Sequence, residues 1–294
     1  MKKILITGLH SYIGDAFEEY IKTGPYSEQY AISKVSLRDD QVNSLDFTGF
    51  DSVLHVAGIA HVDTGKADEE TKALYYKINQ ELAYKTASTA KAAGVKQFIY
   101  LSSMIVFGDS APMGKQKKIG VETIPVPANF YGDSKLKAEK MIELLADSTF
   151  TITIVRPPMV YGKGSKGNYQ KLAKLAVKSP FFPNIKNQRS MVYIENLCEI
   201  LRLLINQNRG GIYCPQNKEY VTTSGLVKEI AAVHNKKIIL VPYLNLIFKM
   251  GSHFTEYIDK IFGNMTYDKN MTEYENLPYQ IYDFRESIRR TEGK

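Results

Sequence analysis

Four apolar runs constrain this chain more than any other feature: "KILIT" at 3–7, "DSVLHVAG" at 51–58, "KQFIYLSS" at 96–103 and "FTITIVRP" at 150–157. They are near-continuous rather than alternating, as strands buried on both faces are. Stretches of helical period separate them: 13–22, stopped by Gly24-Pro25; about 67–93, ended at Gly94; and 133–145, opened by Asp133 and Ser134. A further short strand is expected at 30–37. Strand–helix alternation with right-handed crossovers gives an α/β fold, a doubly wound parallel sheet covered on both faces. Ligands of such sheets bind beyond the carboxyl ends of the strands.

Composition narrows the partners. Of 294 residues 44% are hydrophobic and 23% charged, ordinary globular material for one large domain or two modest ones. No apolar run has membrane-spanning length, so no membrane partner is expected. The start "MKKILITG" runs from two lysines straight into a strand and a glycine, without an h-region, and a cytoplasmic protein is expected. The net charge of +7 is spread along the chain, apart from a small cluster in "GKQKK" at 114–118. No recognised nucleic-acid motif accompanies it, so nucleic acid is not expected either, whereas a polyanionic small molecule such as a nucleotide suits a basic surface. Cys198 and Cys214 have no metal-ligand spacing and the five histidines are scattered, so no metal is expected.

"ITGLHSYIG" at 6–14 follows the first strand and opens the first helix. Gly8 supplies the tight turn and Gly14 the close helix–strand approach, while Ser11 stands where a middle glycine is usual. With Tyr12 and Ile13 they place the free N–H groups of a helix start where a dinucleotide pyrophosphate would lie. Downstream, "YGDSK" sets Tyr131 and Lys135 at i and i+4, on one helix face. An ammonium beside a phenol favours phenolate, so the tyrosine pKa is expected to fall from about 10 towards working pH. Such a tyrosine exchanges a proton with a sugar or alcohol oxygen. Ser102 and Ser103 end a strand in "YLSSMIVFG", where a hydroxyl can polarise the same oxygen.

With "TGLHSYIG", "HVAGIAH", "LSSMIVFG", "YGDSK", "RPPMVYGKG" and "RSMVYIENL", the chain resembles the extended short-chain dehydrogenase/reductases, in the NAD-dependent nucleotide-sugar epimerase/dehydratase family. The resemblance implies a Rossmann-like sheet, with residues 1–157 as the dinucleotide-binding domain, partly rejoined by later segments. Residues 158–294, irregular in "YGKGSKGNY" and "SPFFPN", would form mainly a smaller substrate lobe. By position, Tyr131 resembles the acid/base, Lys135 the ribose-binding lysine and Ser103 the catalytic hydroxyl. Ala57 and Gly58 match the segment under the cofactor, Asn79 an asparagine supporting the serine strand, and Pro158 a residue near the nicotinamide. Arg189 matches a substrate-diphosphate clamp, a role that a guanidinium fork suits, and Asn168 a substrate-side asparagine. His61 and Tyr161 line the pocket or merely pack. A homodimer built from two helices per subunit is implied as well. The branch most similar is that of bacterial reductases and epimerases of UDP-linked N-acetylamino sugars. Departures are Ser11, Phe107 for the usual tyrosine, and Glu195-Asn196 where an aspartate is common. "SSM" and the residues before Tyr131 carry no Asp-Glu pair for water elimination, which disfavours a dehydratase.

"KVSLRDD" at 34–40 bears on the cofactor. An acid at this strand end holds the ribose of NAD, whereas an arginine accommodates the NADP phosphate. Arg38 lies 24 residues after Gly14, near the spacing of about 20 for that position. It favours NADP(H) and a reductase. Asp39, one residue on, would serve NAD(H) and a 4-epimerase with retained cofactor. A non-catalytic NADP-binding regulator is the third reading, disfavoured by the intact Ser103, Tyr131 and Lys135.

Overall fold

The computed structural model describes all residues except 38–41, 43–44, 61–66 and 244–260. The chain divides into two units, one of residues 1–108, 124–157 and 197–215, the other of 109–123, 158–196 and 216–294.

Among the described residues the first unit carries six strands: β1 Lys2–Thr7, β2 Tyr30–Val35, β3 Ser52–His55, β4 Gln97–Leu101, β5 Thr151–Val155 and β6 Gly211–Tyr213. They lie in the order β6-β5-β4-β3-β1-β2 and every neighbouring pair is parallel. This is the doubly wound sheet expected from the apolar runs. The register sets Thr7 beside Val35 and His55, His55 beside Tyr100, and Leu101 beside Val155. One edge of the sheet therefore collects the strand ends that matter below. Ile4, Ile6, Val53, Leu54, Phe98 and Ile99 are fully enclosed, each worth roughly 1.5–3 kcal/mol in apolar transfer.

Helix α1, Tyr12–Thr23, buries Phe17 and Ile21. A longer helical stretch consists of α2 Glu69–Tyr75, a π-helical turn Tyr76–Glu81 and α3 Leu82–Ala92. Helix α4, Phe130–Glu143, begins three residues before the expected start, because the Asn129 side chain accepts from the N–H of Gly132 at 3.0 Å and caps it there. Ala87 and Ala90 of α3 and Ala138 and Ile142 of α4 pack with Leu5, Val53 and Phe98 in one core.

Residues 197–215 rejoin the first unit for a specific reason. In the helix Ile194–Asn206, Glu199 accepts from the Tyr20 hydroxyl at 2.8 Å and holds Arg202 by two bonds of 2.8 and 2.7 Å. The Arg202 guanidinium lies 4.0 Å over the ring of Tyr26.

Among its described residues the second unit holds three parallel two-stranded pairs, Met159–Tyr161 with Met191–Tyr193, Phe181–Pro183 with Ile239–Val241, and Lys118–Ile119 with Thr266–Tyr267. Tyr161 is core here: its ring stacks on Tyr169 at 5.4 Å, and its hydroxyl bonds to Ser287 and Asn217. His61 lies outside the described residues.

Candidate active site

The glycine turn is built by close approach. Gly8 has φ +114°, and a Cβ there would meet the backbone N of Ala57 at 3.0 Å. The chain after β3 thus passes against the turn, and the strand ends at His55 rather than continuing to Gly58 as the apolar run suggested. A Cβ on Gly14 would meet Ile6 and Val56 side chains at 3.0 and 3.1 Å, so this residue lets α1 start against the sheet. Ser11 takes the place of glycine at no cost: its φ is −84°, and its hydroxyl caps α1 by accepting from the N–H of Gly14 at 3.1 Å. The N-terminal N–H groups of α1, those of Tyr12 and Ile13 included, are the anion-facing end of the helix. Such a turn fits a pyrophosphate.

A second cluster lies beyond the ends of β3 and β4. Gly58 is its pivot, since a Cβ there would meet Asn79 Oδ1 at 3.0 Å and Lys135 Nζ at 3.1 Å. Asn79 sits buried in the π-helical turn. Its Oδ1 accepts from the Ile59 N–H at 2.8 Å, while its Nδ2 donates to the Ile59 carbonyl at 3.1 Å and to Ser134 Oγ at 3.2 Å. Its own carbonyl accepts from the Tyr100 hydroxyl at 2.9 Å. Tyr100, on the strand that leads to Ser103, thus holds the main chain of Asn79, and the Asn79 side chain holds Ile59 and Ser134.

Ser103 opens a short 3₁₀ turn, Met104–Phe107, with its hydroxyl accepting from the Ile105 N–H at 3.3 Å. From there the Ser103 hydroxyl acts on Tyr131 and favours its ionised form. The Tyr131 ring stands edge-on to Tyr75, 5.8 Å away. Lys135 is buried, with its ammonium donating to the Leu101 carbonyl at 2.9 Å and lying 4.8 Å over the Tyr100 ring. One turn further, Glu139 is fork-paired to Arg156 at 3.0 and 2.6 Å, and Arg156 covers the ring of Phe107 at 5.2 Å. Phe107 thus fills its place by cation–π packing, without the hydroxyl of the usual tyrosine.

The charges of this cluster correct one expectation. Tyr131 is pushed up to about 12, chiefly because its hydroxyl is removed from water, with the Ser103 bond acting weakly the other way. Lys135 is held down to about 8 by burial, with Glu139 opposing. Desolvation outweighs the lysine–phenol attraction that the i,i+4 spacing suggested. The tyrosine is a phenol across the neutral range. His55, fully buried at the end of β3, is pushed down to about 3 by burial and by the Lys135 charge, and its Nδ1 is paired with the Thr7 hydroxyl at 2.8 Å.

Sequence reasoning missed Tyr100, His55, Ser134 and the Glu139–Arg156 pair. Their only signal was position, since Tyr100 and His55 face each other at neighbouring strand ends and Glu139 follows Lys135 by one turn. Arg38, like Asp39, lies outside the described residues. β2 ends at Val35, and Ser36 and Leu37 follow it.

In the second unit the residue expected near the nicotinamide, Pro158, and the expected substrate residues, Asn168 and Arg189, sit on separate elements. Pro158 is buried, next to the strand Met159–Tyr161, and Asn168 is the first residue of the helix Asn168–Lys178. Arg189 exchanges two backbone bonds of 3.0 Å with Val221, its Nη1 donates to the Ile261 carbonyl at 3.0 Å, and burial pushes its guanidinium pKa down. No group of His, Cys, Asp and Glu among the described residues is placed to hold a metal, and no described helix is long and apolar enough to cross a membrane.

Residues 4–214 match the NAD dependent epimerase/dehydratase family. The chain belongs to this family. It is an enzyme of a nicotinamide-dependent group, and it is similar to enzymes that act on nucleotide sugars. A UDP-glucose 4-epimerase of Vibrio cholerae is 30% identical over 294 residues, 92% of this chain and 89% of that one. A dTDP-4-dehydrorhamnose reductase of Bacillus anthracis, solved in complex with NADP, has a TM-score of 0.72 at 21% identity over 99% of both chains. A UDP-glucuronic acid 4-epimerase of Bacillus cereus, solved with NAD, has a TM-score of 0.71 at 16% identity, over 98% of this chain and 95% of that one. At such identities these two family structures speak for a common fold.

Proposed function

We propose that this protein is an NADPH-dependent reductase of the 4-keto group of a UDP-linked 6-deoxy-N-acetylamino sugar, in surface polysaccharide biosynthesis. The observation that carries this reading is the end of β2, where Ser36 and Leu37 offer no carboxylate to the ribose hydroxyls and Arg38 follows them in the sequence. Tyr131, whose pKa burial pushes up to about 12, is the group that gives a proton to the ketone oxygen.

The roles follow from the chemistry of the residues. A reduced nicotinamide, when bound, supplies the hydride that reaches the keto carbon. Tyr131 gives its hydroxyl proton to the oxygen, and the carbonyl becomes a secondary alcohol. Ser103 donates to the same oxygen and polarises it. Lys135 holds the nicotinamide ribose and lends positive charge as the phenol loses its proton. Gly8, Ser11, Tyr12, Ile13 and Gly14 cradle the pyrophosphate, Ala57, Gly58 and Asn79 line its path, Pro158 flanks the nicotinamide, and Arg38 meets the 2′-phosphate. Arg189 clamps the substrate diphosphate and Asn168 assists it. The reading also takes residues 1–157, with later returns, as the cofactor domain and 158–294 as mainly the substrate lobe, in a cytoplasmic homodimer.

A UDP-sugar 4-epimerase with retained NAD is the second reading, favoured by the 30% identity to the Vibrio cholerae enzyme. An assay at 340 nm with a UDP-linked 4-keto-6-deoxy-N-acetylhexosamine separates the two. A reductase consumes one NADPH per sugar reduced. Interconversion of UDP-N-acetylglucosamine and UDP-N-acetylgalactosamine without added cofactor, and no NADPH consumption, would replace the reductase reading by the epimerase one.

A further inference from the structure

Tyr100 touches both the helix distortion and the buried ammonium of the site, and nothing in the proposed chemistry yet uses it. It is fully buried at the end of β4, one residue before Leu101 and three before Ser103. Burial drives its phenol pKa well above the usual value, so it remains a hydrogen-bond donor.

Its hydroxyl donates to the carbonyl of Asn79 at 2.9 Å. That carbonyl lies in the π-helical turn Tyr76–Glu81, where the wider coil breaks the regular bonding of the helix. A buried carbonyl has two lone pairs to satisfy, and Tyr100 donates to this one from the neighbouring strand. The widened turn is also what carries the Asn79 side chain, whose three bonds hold Ile59 and Ser134. The face of the same ring carries Lys135 Nζ at 4.8 Å. An aromatic face attracts a cation most when both are out of water.

We propose that Tyr100 is a positioning residue: its hydroxyl pins the π-helical turn that presents Asn79, and its ring seats the ammonium of Lys135. The proposal rests on the reading of Lys135 and Asn79 as site residues. The titratable and charged groups around Lys135 are Glu139 on α4 with its partner Arg156 after β5, His55 at the end of β3, and Tyr131 one turn back on α4. Tyr100 differs from all of them in acting on the ammonium through its ring and on the helix through its hydroxyl, so the two actions separate by substitution.

Tyr100→Phe keeps the ring and loses the bond, whereas Tyr100→Leu and Tyr100→Met lose both. Lysine labelled with ¹³C at Cε is titrated by NMR in the full-length protein, with the Lys135 signal assigned by Lys135→Arg. The wild-type midpoint is expected near 8. Tyr100→Phe should stay within about 0.3 units of it, and the ring-less variants should fall by about half a unit or more, because the charged form loses its seat. Amide exchange reads the other action. The Ile59 N–H, which Asn79 accepts, should exchange roughly tenfold faster in Tyr100→Phe, while Ile99 in β4 keeps its protection. An unmoved midpoint in the ring-less variants, or an equal fall in Tyr100→Phe, overturns the role of the ring. Unchanged exchange at Ile59 overturns the role of the hydroxyl, and decides the proposal alone if the ring-less variants do not fold. Neither readout needs a sugar substrate, so a wild-type enzyme that consumes no NADPH would refute the reductase reading and leave these results standing.

Discussion

Tyr131 and Lys135 stand one turn apart on α4, yet the ammonium bonds to the Leu101 carbonyl at 2.9 Å while the phenol ring stands edge-on to Tyr75. The lysine is thereby fixed to the strand and the tyrosine to the neighbouring helix. With the phenol pushed up to about 12 and the ammonium held down to about 8, the lysine carries the titration of the pair near physiological pH.

That arrangement makes activity and stability run in opposite directions with pH. Lys135 has a folded pKa of about 8 against 10.5 in the open chain. Turnover should be flat through neutral pH and fall as pH rises through about 8, where the ammonium loses its charge. Between 8 and 10.5 the unfolded chain binds more protons than the folded one, so the contribution of this group to stability rises with pH in that window. Rate profiles and urea melts at pH 7 and 9.5, with Lys135→Met as the reference that abolishes the lysine's share, check both signs.

Tyr131→Phe removes the transferable proton and little else, because the Tyr75 contact is made by the ring. Turnover should fall by roughly 10²–10⁴, with NADPH affinity within a few-fold of wild type. Near-normal turnover would show that another group supplies the proton.

Glu139→Gln leaves the Arg156 guanidinium buried without its carboxylate. A loss of about 3–5 kcal/mol is expected from breaking one side of such a pair. Lys135 would lose the neighbour that opposes its desolvation, so the alkaline limb of turnover should move to lower pH. Thermal melts and the pH profile of this variant test the two effects apart.

Gly58→Ala brings a methyl group to 3.0 Å from Asn79 Oδ1 and 3.1 Å from Lys135 Nζ. Relief requires one of them to shift, at about 1–3 kcal/mol. Turnover should drop more than stability warrants, since the displaced groups belong to the site. A variant with wild-type kinetics at 25 °C would place Lys135 and Asn79 outside the chemistry.

Much of this was legible in the sequence because it follows from periodicity. The runs around Ile4, Val53, Phe98 and Ile152 announced a parallel sheet, and the YGDSK spacing put two side chains on one helical face. What the sequence hid depends on contacts between distant residues. The start of α4 is set by Asn129 reaching Gly132, and the π-helical turn at Asn79 is completed by Tyr100 from β4. The Tyr131 pKa was misjudged because spacing reports a neighbour but not the loss of water. The return of residues 197–215 to the first unit is written in Glu199 and Arg202, whose partners Tyr20 and Tyr26 are far away in the chain.

In the proposed reaction, hydride enters the sugar from an external NADPH. Reduction of a UDP-linked 4-keto-6-deoxy-N-acetylhexosamine with NADPH deuterated at the transferable C4 position tests it directly, with the product analysed by mass spectrometry and NMR. One deuterium at sugar C4 for each NADPH consumed is the predicted result. An unreduced keto sugar with the added cofactor unchanged, together with interconversion of UDP-N-acetylglucosamine and UDP-N-acetylgalactosamine that retains the substrate's own C4 hydrogen, would contradict it and make the protein an epimerase.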